Sequence, residues 1–110
     1  MREPGGLGEF EQLVLLAVLR LGDEALAAAI RTELEATAER RVSRGALYAT
    51  LERLEGKGYL RWQAEASVPA RGGVPRRRFL VTPAGLQAVR RTRAAVRALA
   101  QGLERMIGKA

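Results

Sequence analysis

The most constraining feature of this sequence is the spacing of its apolar residues, because the period of that spacing changes along the chain. Apolar residues recur at the spacing of a helix in three segments before residue 58 and in one segment after Thr82. Apolar and polar residues alternate from Tyr59 to Glu65, which is the period of a strand. A second strand is predicted at Arg77–Val81, after a stretch rich in glycine and proline. The pattern predicts a mainly α fold with a small β-hairpin, in the order α-α-α-β-β-α.

The first predicted helix, Glu9–Leu21, is apolar nearly all round. Every residue from Leu13 to Leu19 is apolar, and so is Phe10. Such a helix must be covered on more than one side, whereas 110 residues can bury only one modest core. We therefore expect one face to meet that core and another to meet a partner subunit or the last helix. A buried strand is the alternative, which the length of the segment and its Ala, Leu, Glu and Gln content disfavour.

The next two helices are predicted from their capping residues. Asp23 is a suitable N-cap for a helix over Glu24–Ala38, and Ser43 for a third helix that continues to Lys57. Gly58 is expected just beyond the end of the third helix. Two helices, a turn and a Ser-capped third helix form the order of a helix-turn-helix unit. The apolar positions expected to be buried are Leu26, Ala27, Ile30 and Leu34 in the second helix and Leu47, Leu51 and Leu54 in the third.

The alternating segment predicts a hairpin with one apolar face. Leu60, Trp62 and Ala64 share one side of the first strand, and Phe79 and Val81 share one side of the second. Trp62 is therefore expected to be a core residue. The loop between the strands is basic, and a basic hairpin after a helix-turn-helix unit indicates a winged helix-turn-helix fold.

The last helix is predicted to run from Pro83 to about Ile107, with Thr82 as its N-cap and proline at its first position. Two sets of residues recur at intervals of seven, as in a coiled-coil seam. We therefore divide the chain into a DNA-binding domain over residues 1–82 and a C-terminal dimerisation helix over residues 83–110. The two sets are Val89, Val96 and Leu103, and Thr92, Leu99 and Met106.

Charge is unevenly distributed between the two halves of the chain. The net charge is +7, but residues 1–55 carry 7 basic and 10 acidic side chains, whereas residues 56–110 carry 12 basic and 2 acidic ones. A strongly basic half indicates a polyanionic partner such as double-stranded DNA. Solubility, or an arginine surplus from a GC-rich genome, is the alternative explanation.

The residue types that are missing argue against an enzyme. The chain has no cysteine and no histidine, which excludes disulfides and His-dependent nucleophiles and nearly excludes zinc sites. We expect no metal and no cofactor. No run of about 18 uncharged apolar residues predicts a membrane span, and residues 1–6 lack the apolar core of a signal peptide. A cytoplasmic protein is therefore expected.

Three segments resemble the PadR family of bacterial regulators, in its short form with one dimerisation helix. They are residues 7–26 (LGEFEQLVLLAVLRLGDEAL), 43–60 (SRGALYATLERLEGKGYL) and 71–85 (RGGVPRRRFLVTPAG). The resemblance implies a dimeric winged helix-turn-helix repressor whose third helix enters the major groove and whose wing follows the DNA backbone. It also implies a small aromatic or drug-like effector bound between subunits. The chain departs from the family at residues 25–28, where relatives often carry a glycine and an aromatic residue, and near Arg78, where they often carry a tyrosine.

The third helix and the wing supply the predicted DNA contacts. Arg44 is the expected base reader, because arginine can pair with guanine through two hydrogen bonds; a phosphate contact or a solvated arginine is the alternative. The family resemblance implies that the Tyr48 hydroxyl contacts a phosphate, with core packing as the alternative. Small residues nearby would let the helix approach the bases, and wing arginines would contact phosphates without reading sequence. The predicted set is Ser43, Arg44, Gly45, Tyr48, Ala49, Arg53, Arg71, Arg76 and Arg77.

The remaining predicted sites concern the subunit interface. Leu13, Val89, Val96, Leu99, Leu103 and Met106 are expected in the dimer interface. An effector is expected near Phe10, Leu13, Val96 and Leu99, with Trp62 as a less favoured contact. The predicted function is a sequence-specific regulator, a repressor that binds a palindromic operator as a homodimer and is released by an effector. A winged-helix module that binds protein and has no specific DNA site is the alternative.

Overall fold

The computed structural model describes residues 6–65 and 76–108. The chain forms three helices, a hairpin and a final long helix, followed by one further helical turn, which confirms the predicted order as far as Ala100. The elements are α1 (Glu9–Leu21), α2 (Ala27–Ala38), α3 (Arg44–Gly56), β1 (Leu60–Ala64), β2 (Arg77–Val81), α4 (Pro83–Ala100) and α5 (Glu104–Ile107).

The core lies around α1, which contacts the other three long helices and the hairpin. Its buried residues meet the leucine stripe of α3, which is buried as predicted. Burying a leucine, valine or isoleucine side chain stabilises a fold by about 1.5–3 kcal/mol relative to exposing it. The central core residues are Val14, Leu15 and Val18 from α1, Ile30 and Leu34 from α2, Leu47, Leu51 and Leu54 from α3, and Leu60, Phe79, Ala88 and Val89 from the C-terminal half.

A second apolar face of α1 is left partly uncovered by the chain itself. Leu13 and Leu16 are half-buried and Leu19 is exposed. Together with Leu34 and Ala38 they line a groove of about 530 Å³ between α1 and α2. The expectation that the chain's own core covers only part of α1 is confirmed.

The start of α2 differs from the prediction. Asp23 does not cap a helix from Glu24; it lies in a single 3₁₀ turn, and α2 begins only at Ala27. The reason is a tertiary hydrogen bond, because the Phe79 N–H donates to the carbonyl oxygen of Ala25 at 2.9 Å. Ala25 and Leu26, the two residues between this turn and α2, are thereby held beside β2 in non-helical conformations.

The hairpin is antiparallel, with Leu60 opposite Val81 and Trp62 opposite Phe79. Phe79 is buried but Trp62 is 36% exposed, so the prediction that Trp62 is a core residue is wrong. Only Leu60 of β1 is buried. The core under this face of the hairpin therefore reaches Phe79 of β2 but does not cover Trp62.

The start of α4 is as predicted, and its end is not. The Thr82 hydroxyl oxygen accepts from the Gly85 N–H at 3.0 Å, and Gly85 packs so closely that a Cβ there would collide with the carbonyl oxygen of Tyr59. The helix ends at Ala100 instead of Ile107, because Gly102 adopts a left-handed conformation (φ +87°) and its N–H donates to the Glu104 carboxylate. The predicted seven-residue seam is interrupted there, so its last two members do not lie on the same helix as the others.

Candidate nucleic-acid interface

The N-terminal end of α3 is exposed and carries small or polar side chains. Ser43 caps the helix as predicted, since its Oγ accepts from the Ala46 N–H at 3.1 Å. Arg44, Gly45 and Ala49 are exposed beside it. An end of this kind can approach base edges, because no bulky apolar side chain holds it away.

Arg44 is available for a contact outside the chain. No acidic side chain pairs with it within residues 6–65 and 76–108, and its guanidinium lies 6.0 Å from the centre of the Tyr48 ring. Tyr48 is half-buried and packs against the edge of the core. The guanidinium of Arg44 therefore lies over a tyrosine ring that is itself packed against the core.

Arg53 lies at the other end of α3 and is engaged within the protein. Its Nε donates to Glu11 Oε2 at 3.0 Å, and its Nη2 donates to the Thr50 hydroxyl at 3.3 Å. Arg53 was predicted as a DNA contact because it lies off the leucine stripe of α3. The structure instead directs its guanidinium toward α1.

Glu11 is the functional candidate that the sequence analysis missed. Its side chain is buried, with 6% of the residue exposed, and it accepts from the Gly8 N–H at 2.8 Å and from Lys57 Nζ at 2.9 Å as well as from Arg53. Burial alone would raise the pKa of this carboxyl, but the hydrogen bonds from Gly8, Lys57 and Arg53 outweigh it and lower the pKa below 4.5. The only sequence signal was that Glu11 is one of two glutamates, with Glu9, in the first turn of an apolar helix.

The two described arginines of the wing that were predicted as DNA contacts are both exposed. The Arg77 guanidinium lies 4.5 Å from the centre of the Trp62 ring, and Trp62 Nε1–H donates to Glu55 Oε2 at 3.0 Å. Glu55 belongs to α3, so this chain of contacts joins the wing to the candidate recognition helix. Arg76 is exposed just before β2, and the predicted contact Arg71 lies outside the described residues.

Arg78 points to the opposite face of the hairpin, as the alternation along a strand requires. It donates to Gln63 at 2.6 Å and lies within 3.6 Å of Asp23 and Glu65. These acidic neighbours occupy its guanidinium and leave the other wing arginines as the better DNA contacts.

The predicted interface residues fall into two groups. Val89 is only 3% exposed and belongs to the chain's own core, which corrects its assignment to the subunit interface. Val96, Leu99, Leu103 and Met106 are all exposed, with Leu99 and Met106 at 80%. Large exposed apolar side chains in a row mark a surface that another molecule covers.

Comparison with known proteins identifies the family. Residues 15–91 match the profile of the Transcriptional regulator PadR-like family. The chain belongs to the PadR-like family. No curated protein sequence gave a significant match.

Solved PadR structures support this assignment. A PadR-like transcription factor from Bacteroides fragilis is 26% identical, with a TM-score of 0.70 and 88% of each chain covered. A PadR family transcriptional regulator from Eggerthella lenta is also 26% identical, with a TM-score of 0.67 and coverage of 93% of this chain and 88% of that one. A transcriptional regulator from Clostridium thermocellum shares the fold at 15% identity, with a TM-score of 0.71.

Membership fixes the general activity of the protein. PadR-like proteins are DNA-binding transcriptional regulators and not enzymes, so the predictions of family, winged-helix fold and regulatory class are confirmed. Within the described part of the chain, no helix has the length and apolar character needed to cross a membrane.

Proposed function

We propose that this PadR-like regulator is a homodimeric repressor that binds a palindromic operator through α3 and the wing. The observation that carries the proposal is the contrast along α3: its N-terminal end is exposed, small and polar, whereas its other end is fixed to α1. Arg44 is the base reader, most suited to the O6 and N7 atoms of guanine. Ser43, Gly45 and Ala49 allow the close approach, and Tyr48 positions Arg44 and offers its hydroxyl to a phosphate.

The wing supplies affinity rather than sequence selectivity. Arg77 and Arg76 are exposed, and contacts from such arginines to phosphates stabilise a complex on any sequence. The stacking of Arg77 on Trp62 orders its guanidinium before DNA is bound. Arg71 is assigned to the same role from its place in the sequence.

The dimer forms when the C-terminal segment of one subunit covers the groove on the other. The groove between α1 and α2 is apolar and includes Leu13 and Leu16. Leu99 and Met106 are the most exposed large apolar side chains on the described chain, and they supply the apolar surface that such a groove requires. A two-fold dimer would place two α3 helices about 34 Å apart on one face of the DNA, which requires an operator with two inverted half-sites. A repressor bound there would block the polymerase.

A planar aromatic effector would act at the same interface. The proposed position is near Phe10 and Leu13 of one subunit and Val96 and Leu99 of the other. One face of the Phe10 ring is already covered by Arg40, at 5.8 Å, so an effector would use the opposite face. Trp62 is left out of this site because its indole contacts Glu55 and Arg77. An effector that changes the angle between subunits would weaken both half-sites; a melting temperature that planar drugs and flavins leave unchanged would remove this part of the proposal.

The deciding experiment is a gel shift with DNA from upstream of the protein's own gene, excess unrelated DNA and two salt concentrations. We expect a discrete complex that weakens at high salt and is lost or strongly weakened by Arg44→Ala. Arg31→Ala is the matched control, because Arg31 is exposed but donates to the Val42 carbonyl oxygen within the chain. If unrelated DNA competes fully at both salt concentrations, a genome-wide binding screen separates a distant operator from the alternative of a protein-binding module.

A further inference from the structure

Two cationic side chains at the C-terminal end of α3 converge on one buried carboxylate. Lys57 Nζ lies 2.9 Å from both oxygens of Glu11 and 2.7 Å from the Gly6 carbonyl oxygen, and Arg53 Nε lies 3.0 Å from Glu11 Oε2. Arg53 and Lys57 are four residues apart, so they lie on the same side of α3. The carboxylate comes from α1, more than 40 positions earlier in the chain.

The three side chains differ in their exposure. The Glu11 side chain is 7% exposed, whereas that of Arg53 is 53% exposed and that of Lys57 is 21% exposed. The carboxylate is therefore buried and fixed, whereas the arginine side chain is half exposed at the surface of α3. Without Glu11, both side chains could extend from α3 toward a polyanion, because long basic side chains extend readily into solvent.

We propose that Glu11 is a positioning residue that limits sequence-independent DNA binding: it withholds Arg53 and Lys57 from the phosphate backbone and fixes α3 against α1. This inference rests on the proposed operator binding by α3. Phosphate contacts add affinity for every sequence equally. Two further cations free at α3 would therefore stabilise complexes with operator and unrelated DNA alike, so the loss of Glu11 should tighten binding to any duplex.

The test is Glu11→Gln, which keeps the size and acceptor oxygen of the side chain but removes its charge. Binding to an unrelated duplex is measured at several salt concentrations, beside binding to the operator. We expect tighter binding to unrelated DNA and a salt dependence steeper by about 0.9 in log–log slope for each cation released. Because both complexes gain the same contacts, operator affinity should rise together with unrelated affinity, and their ratio should stay nearly constant. A folded variant with an unchanged slope on unrelated DNA would overturn the proposal.

Glu9→Gln is the matched control on the same helix. Glu9 pairs with Arg40 at 2.9 Å, but its side chain is 81% exposed, so its loss should leave the slope unchanged. Circular dichroism and a cooperative urea transition show that each variant is folded. A general effect of charge removal would appear in both variants and would overturn the specific role of Glu11.

Arg53→Gln gives a second test that does not require the Glu11 variant to fold. If Arg53 is withheld from DNA in the wild type, its loss should leave the salt slope unchanged while Lys57 still holds Glu11. A slope reduced by about 0.9 would mean that Arg53 contacts phosphate, and the inference would be wrong. The slopes on unrelated DNA can be measured even if no operator is found, so the failure of operator binding is distinguishable from the failure of this inference.

Discussion

Helices α3 and α4 begin alike and end differently. Each starts with a hydroxyl cap, in which the Ser43 or Thr82 oxygen accepts a backbone N–H three residues later at 3.1 or 3.0 Å. The leucines of α3 are buried as far as Leu54, near its end, whereas α4 leaves the core after Val89 and ends at Ala100. A cap can start a helix from local sequence alone, but its length depends on what covers its apolar face. The chain covers the leucines of α3 itself, whereas the apolar side chains in the distal half of α4 stay exposed.

The largest effect in this comparison is expected from leucine truncation in the two helices. Leu51→Ala should reduce the free energy of unfolding by about 2–5 kcal/mol, because it opens a cavity in the core. Leu99→Ala should change the stability of the dilute, monomeric protein by less than about 0.5 kcal/mol, because Leu99 is 80% exposed. Urea denaturation below the dimer dissociation concentration measures both. Similar losses for the two variants would show that the distal half of α4 packs on its own protomer.

The next effect concerns assembly. Leu99→Asp should give a monomer, because a charge would be buried in an apolar interface without a partner. Operator affinity should then fall by about 10²–10⁴, since two linked half-site contacts become one. Light scattering and the gel shift are the measurements. Arg97→Asp is the control, because Arg97 projects from the other side of α4; a Leu99→Asp protein that is still dimeric would place the interface elsewhere.

A smaller effect on stability is expected from removing the N-cap hydroxyl of either helix. Ser43→Ala should cost about 1 kcal/mol of the free energy of unfolding, the usual value for an N-cap. Thr82→Ala should cost about 1 kcal/mol more, because the Thr82 hydroxyl also donates to the Gly58 carbonyl oxygen at 2.6 Å. This second hydrogen bond joins the start of α4 to the backbone just after α3. Equal losses of unfolding free energy for the two variants, measured by urea denaturation, would mean that the hydrogen bond to Gly58 contributes nothing to stability.

These helices also show which features could be predicted from the sequence. The caps at Ser43 and Thr82 and the α3 leucine stripe depend on residues three or four apart, so local spacing was sufficient to predict them. The late start of α2 was missed because the bond that prevents helix there comes from Phe79. The exposure of Trp62 was missed because alternation gives a face of the strand but not how far the core extends beneath it.

The residues of the candidate site also divide into those that local sequence predicts and those that it does not. Arg44 could be assigned from its position at the start of a capped helix. Arg53 was grouped with it, because a position off the apolar stripe was interpreted as exposure to DNA. Its partner Glu11 is 42 positions away, and no local pattern relates two such residues. The end of α4 before Gly102 was also missed. It was missed because a seven-residue repeat of apolar positions carries no information on the backbone conformation of the glycine.

The smallest expected effect tests the fixed end of α3 through pH. The pKa of Glu11 is lowered from 4.5 in the folded protein, so its ionised form stabilises the fold above pH 4.5, and this stabilisation is lost as the pH falls through the folded pKa. The groups that face it are Arg53 and Lys57 from the C-terminal end of α3 and the Gly8 N–H. Urea denaturation between pH 3 and 7 should therefore show a steeper loss of stability below pH 4.5 for the wild type than for Glu11→Gln. Glu33→Gln is the control for the other carboxyl with a lowered pKa, which is held by Thr37 and Arg20 at the groove. If Glu11→Gln follows the wild-type curve throughout, the carboxylate does not hold α3 by its charge, and the difference between the two helix ends rests on the leucines alone.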